Sequence, residues 1–245
     1  MPARMLSRRS RLLPIYSVLA AMLMLMLAAC GPGATSLQRS SGATTAPAAQ
    51  GRTLVVLGAS DAYGVGTYDP DRDSWPTSLS RQLRGTIHLV NLGVPGITLA
   101  RAATQEMPIA LDARPDVVVM WLAVNDFAAN VPLASYSTQL RLAIHTLRTQ
   151  TSAHVYVANL PDLTAIPYLV RLAHGDQQAL AARVAGWNDA IAAACAQEGA
   201  TLVDLFGEWQ ELRSHPEYIS GDGLHPSTLG AQRLAEIFRQ SIEPR

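Results

Sequence analysis

The 245-residue sequence predicts an α/β fold, a three-layer α/β/α sandwich around a flavodoxin-like parallel five-stranded sheet, and three observations support this class. Five short apolar runs alternate with five segments of helical spacing from residue 52 onward. The runs are apolar almost throughout, as expected when helices cover both faces of a sheet. Apolar residues make up 49% of the chain, which is enough for the core of such a domain.

The individual elements follow from these patterns in chain order. Strands are predicted from the runs TLVVLG, IHLVNLG, DVVVMWLA, HVYVANL and TLVDL, at 53–58, 87–93, 116–123, 154–160 and 201–205. Helices are predicted between and after them, at 74–84, 98–112, 134–150, 177–198 and 227–241. The sequence shows no internal repeat, and these elements are assigned to one domain at 52–245.

Residues 1–29 are predicted to be a bacterial lipoprotein signal peptide. Arginines at 4, 8, 9 and 11 precede a largely apolar run that extends to Ala29, which is typical of an export signal. The sequence LAAC at 27–30 resembles a lipobox, in which the cysteine thiol, here that of Cys30, receives diacylglycerol. The alternative is an uncleaved membrane anchor, since the apolar run is near the length that spans a bilayer. Both interpretations predict an exported protein held at the outer face of the cell membrane.

The segment at 30–51 is predicted to be a lipidated cysteine followed by a flexible linker, because it is rich in Gly, Ala, Ser, Thr and Pro. Removal of residues 1–29 takes four arginines from the 19 basic residues, which leaves 15 against 19 acidic ones and a formal net charge of −4. This charge gives no sign of a nucleic-acid partner. All the basic residues are arginine, which excludes Schiff-base chemistry on lysine and a P-loop lysine.

Neither the remaining cysteine nor the possible metal ligands predict a disulfide or a metal site. With Cys30 lipidated, Cys195 has no partner for an intrachain disulfide, and its Ala-rich surroundings favour a small apolar residue in a helix. The His, Cys, Asp and Glu residues show no metal-ligand spacing, so neither a metal nor another cofactor is predicted.

Polar or glycine-rich turns follow four of the predicted strands, and ligands in parallel sheets bind beyond these carboxyl ends. The turns contain Ser60 in LGASDAYGVG, the segment 91–96, the pair Asn125 and Asp126, and the segment 159–162. Small residues around Ser60 permit a sharp turn that displays a nucleophile. The alternative is an ordinary turn in which Ser60 or its neighbour is a helix N-cap.

A serine nucleophile needs a base and a carboxylate that orients this base. His225 lies in the Gly-rich stretch SGDGLHPSTLG, three residues after Asp222, so that a loop can bring the carboxylate to one ring nitrogen. The other five histidines lie in predicted core elements or in loops without a patterned neighbour. A turn with a helix N-cap at Ser227 is compatible with the same stretch.

The blocks GASD, NLG, VND and DGLHP, in this order, resemble those of the SGNH or GDSL-type serine hydrolases, a family of esterases and lipases. The resemblance extends from about residue 52 to the C-terminus and implies the SGNH hydrolase fold. It implies Ser60 as the nucleophile, His225 as general base and then acid, and Asp222 as the group that orients the imidazole. It also implies an oxyanion hole formed by the backbone N–H groups of Ser60 and Gly93 and the side-chain amide of Asn125. The chemistry of such a triad needs no metal.

Two positions depart from the family pattern. Gly-Asp-Ser becomes Gly-Ala-Ser with Asp61 after it, and Gly-x-Asn-Asp becomes Ala-Val-Asn-Asp. Asp126 is interpreted as a structural residue that accepts backbone N–H groups. Glycosidase chemistry with Asp61 and Asp126 as paired carboxylates is the weaker hypothesis, because it leaves His225 without a role.

The sequence therefore predicts a hydrolase of carboxylic esters that works through a Ser-His-Asp triad and an acyl-enzyme. Its predicted partners are a small-molecule, lipid or glycan ester and, through the lipid anchor, the membrane. The alternatives are an acyltransferase with the same triad, and a non-catalytic glycan-binding lipoprotein, which predicts the loss of a triad residue. The apolar segment 159–180 is either the lid or wall of an acyl groove, which favours medium acyl chains, or a short helix that caps the core.

Overall fold

The chain folds around a five-stranded parallel sheet in the computed structural model, which describes residues 51–244. The strand order is β2-β1-β3-β4-β5. The strands are β1 (Arg52–Gly58), β2 (Ile87–Asn91), β3 (Val117–Trp121), β4 (His154–Ala158) and β5 (Thr201–Val203). This order is the flavodoxin-like winding, so the predicted fold class is confirmed. The predicted signal peptide, Cys30 and the linker up to residue 50 lie outside the described residues.

Eleven α-helices accompany the strands within residues 51–244. They are α1 (Ser60–Tyr63), α2 (Pro70–Asp73), α3 (Trp75–Gln82), α4 (Leu99–Gln105), α5 (Met107–Asp112), α6 (Val124–Ala128), α7 (Leu133–Gln150), α8 (Pro167–Leu172), α9 (Gln177–Glu198), α10 (Leu205–Glu208) and α11 (Thr228–Ile242). Three short 3₁₀ turns, at 163–165, 210–213 and 216–218, complete the regular structure. No helix in this described part of the chain is both long and apolar enough to cross a bilayer.

Two helical layers cover the sheet. α3 packs against α11, and α7 packs against α9 with α4 and α5 beside α7. The chain steps from β1 outward to β2 and then back past β1 to β3, so right-handed crossovers place α3 and the α4–α5 pair on opposite faces. The two layers therefore leave the carboxyl edge of the sheet as the open edge where loops can build a site.

The core is continuous through the central strands. Every residue of β3 is buried, and in β1 the run 54–57 is buried as well. On one layer Trp75 stacks on Phe238 with ring centroids 4.4 Å apart, and on the other Tyr136 lies 4.5 Å from Trp187. Full burial of one large apolar side chain contributes roughly 1.5–3 kcal/mol, so these layers fix the strand ends firmly.

The predicted helix at 98–112 is wrong in one respect, because the chain forms two helices, α4 and α5, that meet at Glu106. Pro108 lies in the first turn of α5, where its missing N–H is tolerated, but the same residue cannot continue α4. Glu106 lies at this break and is only 2% exposed, so the junction of the two helices places an acidic residue in the core.

Candidate active site

The turn between β1 and α1 presents Ser60 at the carboxyl edge of the sheet. β1 ends at Gly58, Ala59 is the N-cap of α1, and Ser60 is the first helical residue. Ala59 makes no side-chain cap, so the alternative of Ser60 or Asp61 as N-cap is wrong. The backbone N–H of Ser60, in the first turn, has no acceptor within the helix.

The loop before α11 holds Asp222 in a fixed orientation. One carboxylate oxygen, Oδ1, accepts the backbone N–H groups of Leu224 at 2.7 Å and His225 at 3.0 Å. The other, Oδ2, lies 2.6 Å from His225 Nδ1. Partial burial alone would raise the pKa of Asp222, but the hydrogen bonds from His225 and Leu224 outweigh it and hold this pKa well below its usual range. Asp222 is therefore a carboxylate that accepts a proton only in strong acid.

His225 joins this carboxylate to the serine, because its Nε2 lies 2.8 Å from Ser60 Oγ. An ionised carboxylate can only accept, so Nδ1 carries the imidazole proton and Nε2 is free to accept from the Ser60 hydroxyl. The chain at His225 packs tightly beside Gly66, where an added Cβ would lie 2.8 Å from His225 Cβ. The structure thus brings together Ser60, His225 and Asp222 in one hydrogen-bonded chain. The helix N-cap at Ser227 is also present, since its Oγ accepts the N–H of Gly230 at 3.2 Å.

Asn125 lies beside this chain, at the start of α6. Its Nδ2 donates one hydrogen bond to the backbone oxygen of Ile97 at 2.8 Å, which leaves the second N–H of the amide available. Asn125 lines the same cavity as Ser60 and His225. The structure therefore places this predicted oxyanion donor next to the serine.

Gly93 is placed differently from the expectation. Its backbone N–H donates to Asn91 Oδ1 at 3.1 Å, and Asn91 Nδ2 in turn donates to the backbone oxygen of Ala62 at 2.7 Å. A Cβ at position 93 would lie only 2.7 Å from the Tyr63 nitrogen, so glycine is required for the loop to seat on α1. The amide that the sequence assigned to the oxyanion hole thus already has an acceptor, and its predicted role as a donor stays a prediction.

The backbone amide of Gly96, in the loop after β2, lacks such an acceptor. Pro95 and Gly96 occupy a turn closed by the bond from the Ile97 N–H to the Val94 oxygen at 3.2 Å. The Gly96 N–H has no hydrogen-bond acceptor among residues 51–244. Because Asn125 also holds Ile97, this turn and the Asn125 amide belong to one hydrogen-bonded unit.

A small cavity of about 40 Å³ opens onto Ser60. Besides Ser60, Asn125 and His225, its walls are formed by Ala59, Asp61, Trp121, Val124, Pro161, Ile166, Leu224 and Pro226. Sequence reasoning missed Trp121, although its position at the end of a buried strand is a signal that could have identified it. The cavity is about the size of one or two water molecules.

The segment 159–180 contributes to this cavity and also caps the core. Ile166 is 5% exposed and lines the cavity, whereas Leu169 of α8 is buried in the core. The Tyr168 N–H donates to the backbone oxygen of Gly223 at 2.9 Å, which ties α8 to the loop that carries Asp222. The segment therefore caps the core and lines the cavity, whereas its role as a lid or wall of an acyl groove stays a prediction.

Two further acids lie around the site. Asp126 is 1% exposed, and its Oδ2 accepts the N–H of Leu99 at 2.8 Å, as expected of a structural acceptor, while burial raises its pKa. Asp61 accepts a hydrogen bond from Trp75 Nε1 at 2.9 Å. Burial raises the pKa of Asp61 to about 6, against the lowering effect of that hydrogen bond. Neither carboxylate is hydrogen-bonded to Ser60 or His225.

Residues 51–244 contain no group of three or more His, Cys, Asp or Glu side chains that could hold a metal ion.

Comparisons with known proteins agree with this architecture. The model of the GDSL-like Lipase/Acylhydrolase family matches residues 56–233. Among solved structures, TesA is 24% identical with a TM-score of 0.63, and the match covers 79% of this chain and 99% of that one. A lipase/acylhydrolase from Enterococcus faecalis is 19% identical with a TM-score of 0.63, and the match covers 79% and 98% of the two chains. A family 3 carbohydrate esterase from Clostridium thermocellum is 21% identical with a TM-score of 0.62, over 78% and 94%. No curated protein sequence matches significantly.

The solved structures are similar in fold, whereas the family model covers most of the chain in sequence. The protein is an enzyme of the carboxylic-ester hydrolase class. Within that class, the chain belongs to the GDSL-like lipase/acylhydrolase family, the same family that the sequence motifs predicted.

Proposed function

We propose that this enzyme is a serine hydrolase that cleaves carboxylic esters through a Ser60-His225-Asp222 triad and an acyl-enzyme intermediate. The observation that carries this proposal is the hydrogen-bonded chain from Ser60 Oγ to His225 Nε2 at 2.8 Å and from Nδ1 to Asp222 at 2.6 Å. This order of groups is the one that activates a hydroxyl as a nucleophile.

Acylation uses the proton positions described above. As Ser60 Oγ attacks the ester carbonyl carbon, His225 Nε2 takes the hydroxyl proton and the carbonyl electron pair moves onto oxygen. Asp222 accepts from Nδ1 and stabilises the imidazolium that forms. When the tetrahedral intermediate collapses, the bond to the alcohol oxygen breaks and His225 gives that oxygen its proton. A water molecule then repeats the sequence on the acyl-enzyme and releases the acid and the free serine.

The oxyanion formed in each step needs donors that are already in place. The second N–H of the Asn125 amide and the backbone N–H of Ser60 are two of them, each worth on the order of 10²- to 10³-fold in turnover. We retain the Gly93 N–H as the proposed third donor, which requires it to leave Asn91 Oδ1 when the oxyanion forms. A crystal structure of the Ser60 adduct with a phosphonate tests this, since the Gly93 amide must then lie about 3 Å from the phosphonyl oxygen. A Gly93 N–H that still donates to Asn91 in the adduct would remove Gly93 from the oxyanion hole.

The substrate proposed is an ester with a short acyl group. The cavity beside Ser60 has a volume of only about 40 Å³, and Ile166 and Trp121 are among the apolar residues that line it, so an acetyl group fits it better than a medium acyl chain. Two of the similar structures are named an acetyl xylan esterase and a family 3 carbohydrate esterase, which supports a small acyl group on a polar alcohol.

The test uses the full chain and p-nitrophenyl esters from acetyl to dodecanoyl. We expect hydrolysis that is fastest for the acetyl ester and is lost in Ser60→Ala and His225→Ala, with thermal unfolding unchanged. Free acid as the sole product supports a hydrolase, whereas acyl transfer to an added alcohol in preference to water would support the acyltransferase alternative. Hydrolysis that persists in Ser60→Ala would overturn the triad.

We further propose that the enzyme is exported and anchored to the membrane by lipid on Cys30. The arginine-rich start, the apolar run and the LAAC sequence of residues 1–30 support this proposal. Metabolic labelling with a fatty acid tests it against a Cys30→Ser control. Equal labelling of both chains, or none of either, contradicts lipidation at Cys30.

A further inference from the structure

Glu106 lies at the junction of α4 and α5, directly behind the turn that carries Ser60. Its Oε2 accepts the backbone N–H of Gly58 at 3.1 Å, two residues before the serine. Its Oε1 is buried and has no hydrogen-bond partner among residues 51–244. The carboxyl group of Glu106 takes no part in the mechanism proposed above.

The surroundings of Glu106 favour its neutral form. The residue is 2% exposed, and within the described residues no arginine or histidine nitrogen lies within 4 Å of its carboxyl oxygens. A buried carboxylate without a cation is far more costly than a buried carboxylic acid with one hydrogen bond. The charge state can therefore be inferred from packing alone.

The titratable group that faces Glu106 from α1 is Asp61, which itself has no cation within 4 Å among the described residues. Burial first, and then the charge of Asp61, raise the pKa of Glu106 to about 8, against the lowering effect of the Gly58 N–H. Asp61 directly follows Ser60, so repulsion between the two carboxylates acts on the nucleophile turn itself.

We propose that Glu106 is a positioning residue for Ser60 that works in its protonated form. This proposal rests on the triad proposed above. The neutral carboxyl group holds the end of β1 through the Gly58 N–H and places no second negative charge beside Asp61. Loss of its proton sets the buried carboxylate of Glu106 against the half-buried carboxylate of Asp61 across the turn and moves Ser60 away from His225.

The contact between Glu106 and Gly58 lies next to one of the positions at which the sequence departs from the family motif. The family pattern has an aspartate directly before the serine, and this chain has Ala59 there. Glu106 brings a carboxyl group to the adjacent Gly58 from another part of the chain. The turn thus retains a carboxyl contact although the acid is absent from the motif.

The test compares Glu106→Gln and Glu106→Ala with the wild type. Glutamine keeps an acceptor for the Gly58 N–H and cannot ionise, whereas alanine removes both properties. The measurement is kcat/KM for p-nitrophenyl acetate across roughly pH 6 to 10, read at the isosbestic wavelength with spontaneous hydrolysis subtracted. We expect the kcat/KM of the wild type to fall above about pH 8. The kcat/KM of the glutamine variant is expected to show no such fall and to stay within about threefold of the wild type at pH 7. The alanine variant is expected to lose about tenfold or more in kcat/KM at every pH.

Two results overturn the proposal. One is a glutamine variant whose kcat/KM falls at high pH as that of the wild type does, because ionisation of Glu106 is then not the cause of the fall. The other is a glutamine variant that loses as much as alanine, because the hydrogen bond to Gly58 is then not what positions the serine. If the alanine variant does not fold, the comparison of glutamine with wild type still decides.

A second measurement separates this proposal from the proposed function. The side-chain ¹³C resonance of Glu106 is titrated in the Ser60→Ala protein, which needs no activity. Titration in the ordinary range of glutamate, together with Ser60-dependent hydrolysis in the wild type, overturns the role of Glu106 and leaves the triad standing. A raised titration with hydrolysis that does not depend on Ser60 overturns the triad instead, and the positioning role with it.

Discussion

The side-chain amide of Asn125 has two N–H groups that can act separately. One N–H donates to the backbone oxygen of Ile97, and the second is left available on a residue that lines the cavity beside Ser60. The amide can therefore hold the loop that contains Ile97 and, in the proposed mechanism, also donate to the oxyanion. An aspartate in its place would retain the shape and lose both donors.

We predict that Asn125→Ala lowers kcat by about 10²- to 10³-fold and changes KM little, because an oxyanion donor acts mainly in the transition state. Steady-state kinetics with p-nitrophenyl acetate measure both constants. Asn130→Ala is the matched control, since this exposed asparagine lies just after α6 and does not line the cavity. Turnover of Asn125→Ala equal to that of the control contradicts the assignment.

At the scale of elements, the long strands and helices could be predicted because each contains several repeats of its periodicity. α7 at 133–150 and α9 at 177–198 agree with the predicted segments within one residue. α1 and α6 have four and five residues, too few to show a period, and they depend on contacts with the sheet and its loops. These short helices are the ones that carry Ser60 and Asn125.

The candidate site divides in the same way. Ser60, Asp222 and His225 could be predicted because motifs and strand ends mark them in sequence. Ile166 was predicted only as part of the apolar segment 159–180, and Glu106 was not predicted at all, because its contact depends on what lies opposite it in space. For Glu106 a signal was present, since it is a lone acid on the side of the predicted helix that is otherwise apolar, but its partner Gly58 comes from a distant part of the sequence.

The segment before α8 sets the size of the acyl cavity, which leads to a prediction about chain length. Ile166→Ala removes three carbons from a wall residue, so we expect the preferred acyl chain to lengthen from acetyl to about butanoyl or hexanoyl, with Ser60-dependent activity retained. The ratio of kcat/KM values along the p-nitrophenyl ester series measures this preference.

Leu172→Ala is the control, because Leu172 lies at the end of α8 and its side chain is 49% exposed, away from the cavity. Its chain-length profile is expected to follow that of the wild type. An unchanged profile in Ile166→Ala would show that the acyl group lies elsewhere, on the open surface beside the serine.

For the whole molecule, two acids near the nucleophile, Glu106 and Asp61, lower the free energy of unfolding as the pH rises. Burial raises the pKa of Glu106 from 4.5 to about 8 and that of Asp61 from 3.8 to about 6. Between the ordinary pKa and the raised pKa of each group, the folded protein still holds a proton that the unfolded chain has released. The free energy of unfolding therefore decreases with increasing pH and levels off above about pH 8. Asp222 acts in the opposite direction, because its lowered pKa costs stability only below about pH 4.

We therefore predict that the free energy of unfolding is highest near about pH 4 and falls by several kcal/mol toward about pH 8, since each unit of pKa difference corresponds to roughly 1.4 kcal/mol. Glu106→Gln removes most of this fall, because a neutral amide binds no proton in either state, whereas Glu208→Gln, at an exposed position, leaves the fall as in the wild type. Urea unfolding at a series of pH values measures the slope for all three proteins. A wild-type stability that stays level or rises between pH 5 and pH 8, or a Glu106→Gln slope equal to that of Glu208→Gln, would show that Glu106 is already ionised in the folded enzyme at neutral pH.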